Sequence, residues 1–365
     1  MLLSNSSRLR PTLCLNVSVL LLLGFLCSAS VAAHAQGLTF QRLDTKKLWI
    51  TEVSQFFNLS DERLALSHMG NKAEGFFVGS FDLATGQMIK DKIRRIGSHY
   101  GQPYEQILPD VSGDHLVYLG YKLTTLGWDV YAYRFKTKTE LRLTETPTIP
   151  KYAVAISGNL VVWVERPSPT KPFEIRTYDL ATGVARLVHT TTQEPRTLDV
   201  AGNWIAWADA RYDTSGRKFD TDVFVFDLAR NKEQRISNGP PLTSAHSPSL
   251  SGDLLVWADG KNNALGAQGK TNIFLEDLLT GHQSQLTRGE HEAKGAIAGT
   301  KVVYRDYGSL RTDDWVLLDL VSEKETGVLP VGSSAYTMKL NSHEIVYVDI
   351  GKPGARGGYY RAPLP

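Results

Sequence analysis

One histidine and two arginines are the residues most suited to chemistry in this chain. His246 lies within the segment Ser244–Pro248, and Arg196 and Arg211 lie on either side of an apolar segment earlier in the chain. An imidazole titrates near neutral pH and can accept a proton, and a guanidinium pairs with a carboxylate. His246 with Arg196 or Arg211 is therefore the minimum set for eliminating a sugar from a uronate-containing polysaccharide.

Carboxylates recur two residues after an aromatic residue. They are Asp209, Asp259, Asp306 and Asp349, with Glu165 in a fifth place. Such a set could bind cations or carbohydrate, or each carboxylate could cap its own loop by accepting backbone N–H groups. Recurrence at equivalent places favours capping.

The loop from Asp209 to Asp222 holds four aspartates together with Arg211 and Arg217. Four carboxylates could gather Ca²⁺, but their spacing fits no known calcium loop. We expect internal ion pairs in this loop, and no metal or other cofactor. The chain also has no His-Glu-x-x-His, Gly-x-Ser-x-Gly or phosphate-binding motif.

A short motif that positions these residues occurs seven times. It is a Ser-Gly-like turn followed by an apolar strand that in most copies ends in Trp or Tyr, and its copies start about 47 residues apart. The copies start at Ser60, Ser112, Ser157, Ala201, Ser251, Ala298 and Asn341.

A second motif, Asp-Leu-x-x-Gly, follows in three units and predicts a tight hairpin; it spans Asp82–Gly86, Asp179–Gly183 and Asp277–Gly281. Aspartate accepts backbone N–H bonds early in such a turn, and glycine takes the left-handed position. Asn231, Lys138 and Glu323 stand in place of this glycine in three units.

Four strands per unit, apolar enough to be covered on both faces, predict an all-β fold: a single seven-bladed β-propeller over residues 36–365. The last unit lacks its final strand, and residues 38–43 resemble the missing segment. We therefore predict that the N-terminal strand closes blade seven by pairing near Tyr359 to Arg361, which removes an exposed sheet edge.

The repeat resembles the TolB-like β-propeller repeat family, and residues 250–287 match its pattern best. The resemblance covers nearly the whole chain after residue 35 and implies an exported propeller that serves mainly as a binding platform. It specifies the fold more than the function.

The residue that opens the innermost strand of each blade should face the mouth of the central channel. Loops that contain Asp209, Arg211, Arg305 and Asp306 should open on the same face. Together they would form a polar and aromatic rim suited to a ligand. The opening residues are Gln55, Ile107, Tyr152, Arg196, His246, Ala293 and Tyr336.

The N-terminus predicts export. Arg8 and Arg10 precede a leucine-rich stretch and the small-residue pattern Ala33–Ala35, as in a signal peptide spanning residues 1–35. Both cysteines lie within it, so the mature chain would have no thiol chemistry. We expect a periplasmic or extracellular protein with no transmembrane segment after cleavage.

The formal net charge of +2 gives no field for nucleic acid, so no nucleic-acid partner is expected. These observations favour a platform that binds a protein, a peptide or a cell-envelope glycan and performs no catalysis. The alternative is a polysaccharide lyase or glycosidase that uses the channel mouth.

Overall fold

The structure is a computed structural model. It describes residues 38–43, 57–69, 76–89, 95–96, 109–122, 127–214, 220–239, 243–261, 271–288, 292–306, 314–329, 335–349 and 358–365. The predicted signal peptide lies outside these residues. Within them the regular structure is entirely β, and no helix is long or apolar enough to cross a membrane.

Within the described part of the chain, twenty-nine strands form seven antiparallel sheets, which are the blades of a β-propeller. Blade one comprises β2 (Phe57–Leu59), β3 (Arg63–Met69), β4 (Phe76–Asp82), β5 (Met88–Ile89) and β6 (Arg95–Ile96). Blade two comprises β7 (Asp110–Ser112), β8 (His115–Lys122), β9 (Gly127–Arg134) and β10 (Thr139–Arg142). Blade three comprises β11 (Lys151–Ser157), β12 (Leu160–Glu165), β13 (Phe173–Asp179) and β14 (Val184–Thr191).

The later blades repeat this order. Blade four comprises β15 (Arg196–Ala201), β16 (Trp204–Asp209), β17 (Asp222–Asp227) and β18 (Lys232–Arg235). Blade five comprises β19 (Ala245–Ser251), β20 (Leu254–Asp259), β21 (Asn272–Asp277) and β22 (His282–Gln285). Blade six comprises β23 (Glu292–Ala298), β24 (Lys301–Asp306), β25 (Asp314–Asp319) and β26 (Lys324–Gly327). Blade seven comprises β1 (Gln41–Arg42), β27 (Ala335–Leu340), β28 (Glu344–Asp349) and β29 (Gly358–Pro363).

The predicted closure by the N-terminal strand is confirmed. In β1, Gln41 pairs with Arg361 and Arg42 with Tyr360 of β29, and the amide of Leu43 donates to the carbonyl of Tyr359 at 2.9 Å. Leu43 then packs in a cluster that joins blades seven and one. Strand pairing and apolar burial therefore act together at the point of closure.

Each of the seven hydrophobic clusters joins two neighbouring blades. This explains why the strands are apolar on both faces: every residue of β16 and of β17 is buried. Sheets stacked around an axis cover both faces of each strand, which is the environment that the sequence predicts.

The Ser-Gly turn connects adjacent blades. The hydroxyl of Ser112 accepts the amide of Gly158 at 2.9 Å, and Ser251 accepts the amide of Gly299 at 2.8 Å in the same manner. Each glycine also takes a left-handed φ, 59° at Gly158 and 56° at Gly299. The motif is thus a blade-to-blade contact as well as a turn.

The Asp-Leu-x-x-Gly hairpins form as predicted. Asp179 accepts the amides of Ala181 and Thr182, and Gly183 has a φ of 73°. The three substitutes for this glycine also adopt a left-handed φ: Lys138 at 54°, Asn231 at 52° and Glu323 at 54°. The hairpin geometry therefore holds even where the side chain disfavours it.

Candidate functional site

In blades four, five and six the innermost strands begin at one end of the blade, here called the upper rim. Strand pairing places Arg196 opposite Ala208 and Ala245 opposite Asp259, so the start of the first strand lies beside the end of the second. Blade six follows the same register, with Ala293 opposite Arg305. The opening residues of the described innermost strands therefore share one face with the loops that follow the second strands.

The backbone bulges directly after Arg196 and His246, as it also does after Ala293 in blade six. Thr197 and Ser247 have left-handed φ values of 51° and 55°, and the pairing with the second strand shifts register directly after Arg196 and His246. Bulges of this kind redirect side chains, and a left-handed φ at a non-glycine residue costs about 1–3 kcal/mol.

The remaining non-glycine residues with such a φ, among those described, lie in the hairpin turns. The two unexplained strained positions thus adjoin the arginine and the histidine that sequence reasoning selected. Arg196 is exposed and His246 half-buried, on neighbouring blades. The Thr197 hydroxyl donates to the Arg196 carbonyl at 2.7 Å, and His246 Nδ1 lies 3.0 Å from the Ser247 hydroxyl.

Tyr152 extends the rim into blade three. Its ring packs edge-on against Phe173, with ring centroids 5.2 Å apart. Burial raises the pKa of Tyr152, the charge of Glu194 raises it further, and the charge of Arg166 lowers it. Both charged groups are therefore near the phenol. Sequence reasoning selected Tyr152 but missed Glu194, Arg166 and Phe173, although Arg166 directly follows Glu165.

Asp209 and Arg211 do not join this rim. Asp209 is fully buried and accepts from the Trp207 indole at 3.0 Å and from Arg211 Nη2 at 2.6 Å. Arg211 also pairs with Glu233 at 2.9 Å and lies over the Phe224 ring. Both side chains are held by partners inside blade four. They therefore have a structural role there and do not line the rim as the sequence predicted.

The same arrangement explains two other carboxylates that follow an aromatic residue. Glu165 accepts the Trp163 indole at 2.9 Å, and Asp259 accepts the Trp257 indole at 3.1 Å. Asp259 also accepts the amide of Lys261, the capping bond that the sequence favoured. The described side chains of Glu165, Asp209 and Asp259 therefore do not form a ring that binds cations or sugars.

The other predicted rim residues are placed only in part. Arg305 and Asp306 end β24 at the upper rim, and both are partly accessible. Gln55 and Ile107 lie outside the described residues, and so do the side chains of Ala293 and Tyr336.

A second polar set lies below the rim, where the innermost strands face the axis. The two carboxylates in it each accept two backbone amides, one from their own strand and one from another blade. Asp110 accepts from Val111 at 2.9 Å and Ile156 at 2.8 Å, and Asp199 accepts from Val200 and Leu250, both at 2.8 Å.

Burial raises the pKa of Asp110 to about 7, and the Asp199 charge adds to the rise. Burial likewise raises the pKa of Asp199, and the Lys339 ammonium opposes both increases. These groups belong to blades two, four and seven, so their mutual influence places them around the axis. Sequence reasoning missed them, although each stands two residues before its Ser-Gly-like turn. The aligned residues are Asn58, Asp110, Ala155, Asp199, Ser249, Ala296 and Lys339.

Metal ligands do not converge in the part of the chain that the structure describes. No three His, Cys, Asp or Glu side chains come together there. In the loop considered for Ca²⁺, Asp209 is paired with Arg211, and Asp222 with Arg235 at 2.8 Å.

Neither a protein-family model nor a curated protein sequence matches the chain. Solved structures do match its fold. An oligogalacturonate lyase in complex with manganese has a TM-score of 0.61 and 13% identity, covering 91% of this chain and 94% of that one. An oligogalacturonate lyase from Vibrio parahaemolyticus has a TM-score of 0.60 and 10% identity, covering 90% and 97%. A puromycin-hydrolysing peptidase from Mycobacterium tuberculosis has a TM-score of 0.60 and 13% identity, covering 90% of this chain but 54% of its own.

These matches correct the expectation of a platform without catalysis, because the propellers they name are enzymes. At such identities the likeness shows the fold alone. Membership of the TolB-like repeat family stays a prediction, since no protein-family model matches the chain.

Proposed function

We propose that this propeller is a lyase that cleaves uronate-containing oligosaccharides at the upper rim. The observation that carries the proposal is the placement of Arg196 and His246. They occupy equivalent positions on neighbouring innermost strands, and each is followed by a strained left-handed residue. Elimination from a uronate requires a cationic group that binds the carboxylate and a base that accepts the proton.

The reaction follows from these two groups. Arg196 pairs with the carboxylate of the sugar and stabilises the charge that develops when the adjacent carbon loses its proton. His246 takes that proton, and the electron pair left on carbon forms a carbon–carbon double bond. The bond from the next carbon to the glycosidic oxygen breaks, and that oxygen leaves as an alcohol after it takes a proton.

The comparison of lengths supports a lyase over a peptidase. The lyases are matched over more than nine-tenths of their length, so their propeller corresponds to nearly the whole of this chain. The peptidase is matched over about half of its length, and this chain has no Gly-x-Ser-x-Gly motif.

One of the matched lyases is described in complex with manganese. The described residues do not fit such a metal, because no group of three potential ligands forms among them. The steps above are therefore assigned to Arg196 and His246 alone.

Export is part of the same proposal. The basic residues, leucine-rich stretch and small-residue pattern within residues 1–35 support cleavage after Ala35 and action in the periplasm or outside the cell. Mass spectrometry of the exported protein should give Gln36 as the first residue, and a retained Met1 would contradict export with cleavage.

The decisive assay incubates the exported protein with oligogalacturonate, alginate and glucuronate-containing oligosaccharides. Elimination gives ultraviolet absorbance from the new double bond conjugated with the carboxylate. Hydrolysis instead gives new reducing ends without that absorbance, which would favour the glycosidase alternative. No cleavage of any of these substrates would refute the proposal.

Matched variants connect the activity to the site. His246→Ala and Arg196→Gln should each lower kcat/KM by about a hundredfold or more, because a general base or an electrostatic partner contributes that much. The controls are His282→Ala and Arg186→Gln, which alter exposed residues of β22 and β14 away from the upper rim. Equal activity in all four variants would place the chemistry elsewhere.

A further inference from the structure

We propose that Arg166 and Tyr152, supported by the buried ring of Phe173, form a second sugar subsite on blade three, in which Arg166 binds the carboxylate of a neighbouring uronate. The inference rests on the proposed function, and it specifies the substrate as an oligomer with acidic groups on successive sugars. Three observations on the described residues carry it.

The first observation is the fixed position of Arg166. Its Nε donates to the carbonyl of Lys171 at 3.0 Å, and its Nη2 donates to the carbonyl of Pro169 at 2.6 Å. Its amide donates to the carbonyl of Pro150, next to the start of β11. Ser168 closes the loop by accepting the amide of Lys171. The guanidinium is thus held in place before any ligand arrives, which reduces the entropy lost on binding.

The second observation is that Arg166 has no carboxylate partner among the described residues. The two hydrogen bonds to carbonyls leave three of its five N–H groups, including both on Nη1, without an acceptor in that part of the chain. Two arginines of blades three and four, Arg176 and Arg211, differ in this respect. Arg176 is paired with Glu165 and Glu174, and Arg211 with Asp209 and Glu233. A guanidinium with these donors remaining is suited to a carboxylate from outside the chain.

The third observation is the aromatic surface beside the charge. Arg166 lies over the Phe173 ring at 4.6 Å, and Phe173 meets the Tyr152 ring edge-on. The Arg166 charge acts on the Tyr152 phenol. Phe173 is buried and supports the guanidinium from below, whereas Tyr152 is half-buried. Aromatic rings next to a polar group are a common lining of small-molecule sites, and here the Tyr152 ring would pack against a sugar ring.

The order of these groups along the rim gives the direction of the substrate. Tyr152 and Arg166 are on blade three, Arg196 opens blade four and His246 lies on blade five. One uronate at Arg196 and His246 would therefore have its neighbour at Arg166 and Tyr152. A substrate that fills both places must carry acidic groups on two adjacent sugars, which a neutral glycan lacks.

The test measures binding and cleavage separately, on the exported full-length protein. Isothermal titration with trigalacturonate and with galacturonate monomer gives the dissociation constants, and absorbance gives cleavage. The variant is Arg166→Gln, and the matched control is Arg186→Gln on the same blade. We expect Arg166→Gln to weaken trimer binding roughly tenfold, the usual effect of one charge-assisted contact, and monomer binding less than about twofold.

Arg166→Lys keeps the charge but not the planar fork, so it should recover part of the trimer affinity. Trimer binding unchanged in both variants would overturn the subsite, even if cleavage continues. Weakened trimer binding in a protein that shows no cleavage would support the subsite and refute the lyase. A melting temperature of Arg166→Gln below that of the wild type would identify a folding defect in this variant. The trimer affinity of Arg166→Lys would then decide whether Arg166 forms the subsite.

Discussion

Replacing Asp110 with asparagine should change how the stability of the propeller depends on pH. Burial, with a smaller contribution from the Asp199 charge, raises the pKa of Asp110 to about 7 in the folded protein. In the unfolded chain an aspartate titrates at about 3.9. The folded state thus holds this proton more tightly, so the stabilising contribution is complete below about pH 4 and is lost as the pH rises to about 7.

The size of the change in stability follows from the difference between the pKa values of Asp110 in the folded and unfolded states. About three pKa units correspond to about 4 kcal/mol, and partial access from the channel reduces the expectation to about 2–3 kcal/mol. For a chain of this length 1 kcal/mol moves the melting temperature by roughly 1.5 °C. The melting temperature of the wild type minus that of Asp110→Asn should therefore fall by roughly 3–4 °C between about pH 4 and about pH 8.

Circular dichroism melts across this pH range measure the difference directly. The cost of replacing one backbone acceptor is common to all pH values and cancels in the comparison. Thr192→Ala, at an exposed residue without a titratable group, serves as the control and should give a difference that does not change with pH. A constant difference for Asp110→Asn as well would mean that Asp110 ionises normally, and the argument from burial would be wrong.

Three further predictions concern the repeat itself, each read from thermal melts. Deleting residues 36–44 should lower the melting temperature by several degrees, because β1 and the buried Leu43 are lost together, and an unchanged value would place closure elsewhere. Glu323→Gly should stabilise the protein by about 0.5–1 kcal/mol by relieving a φ of 54°, whereas Lys324→Gly in the adjacent strand should destabilise it. Trp257→Phe should cost about 3 kcal/mol, since it removes the indole donor to buried Asp259, and a cost below about 1 kcal/mol would contradict that role.

The fold could be predicted from the sequence because the same local sequence motifs are repeated. Seven Ser-Gly-like turns, the hairpin motif and the apolar strands each specify the same unit, and their agreement leaves little choice of architecture. Even Lys138 and Glu323 adopt the conformation of the glycine they replace. What the sequence did not reveal is that the serine of the turn bonds to the next blade, since that contact spans about 46 residues.

The site could be predicted only in part, because it depends on contacts between units. Arg196, His246 and Tyr152 were selected by their place at the start of a strand, which the repeat defines. The burial of Asp209 depends on an indole and an arginine folding over it, and spacing along the chain does not show this. Arg166 was missed for the same reason, since its fixed position comes from loop carbonyls.

The departures from the repeat, more than the repeat itself, locate the function. The bulge that follows the opening residue recurs after Ala293 in blade six, so the bulge itself belongs to the repeat. Among the described innermost strands, those of blades four and five carry a non-glycine residue with a left-handed φ in this bulge. These are Thr197 and Ser247, whose strain is about 1–3 kcal/mol each and occurs directly after Arg196 and His246. Strain that persists beside a cationic and an imidazole side chain is explained if it holds them in the positions that the reaction needs. At the bulge position where blade six has Ala293, blades four and five have Arg196 and His246, so the repeat supplies the backbone and these two side chains supply the chemistry proposed for the upper rim.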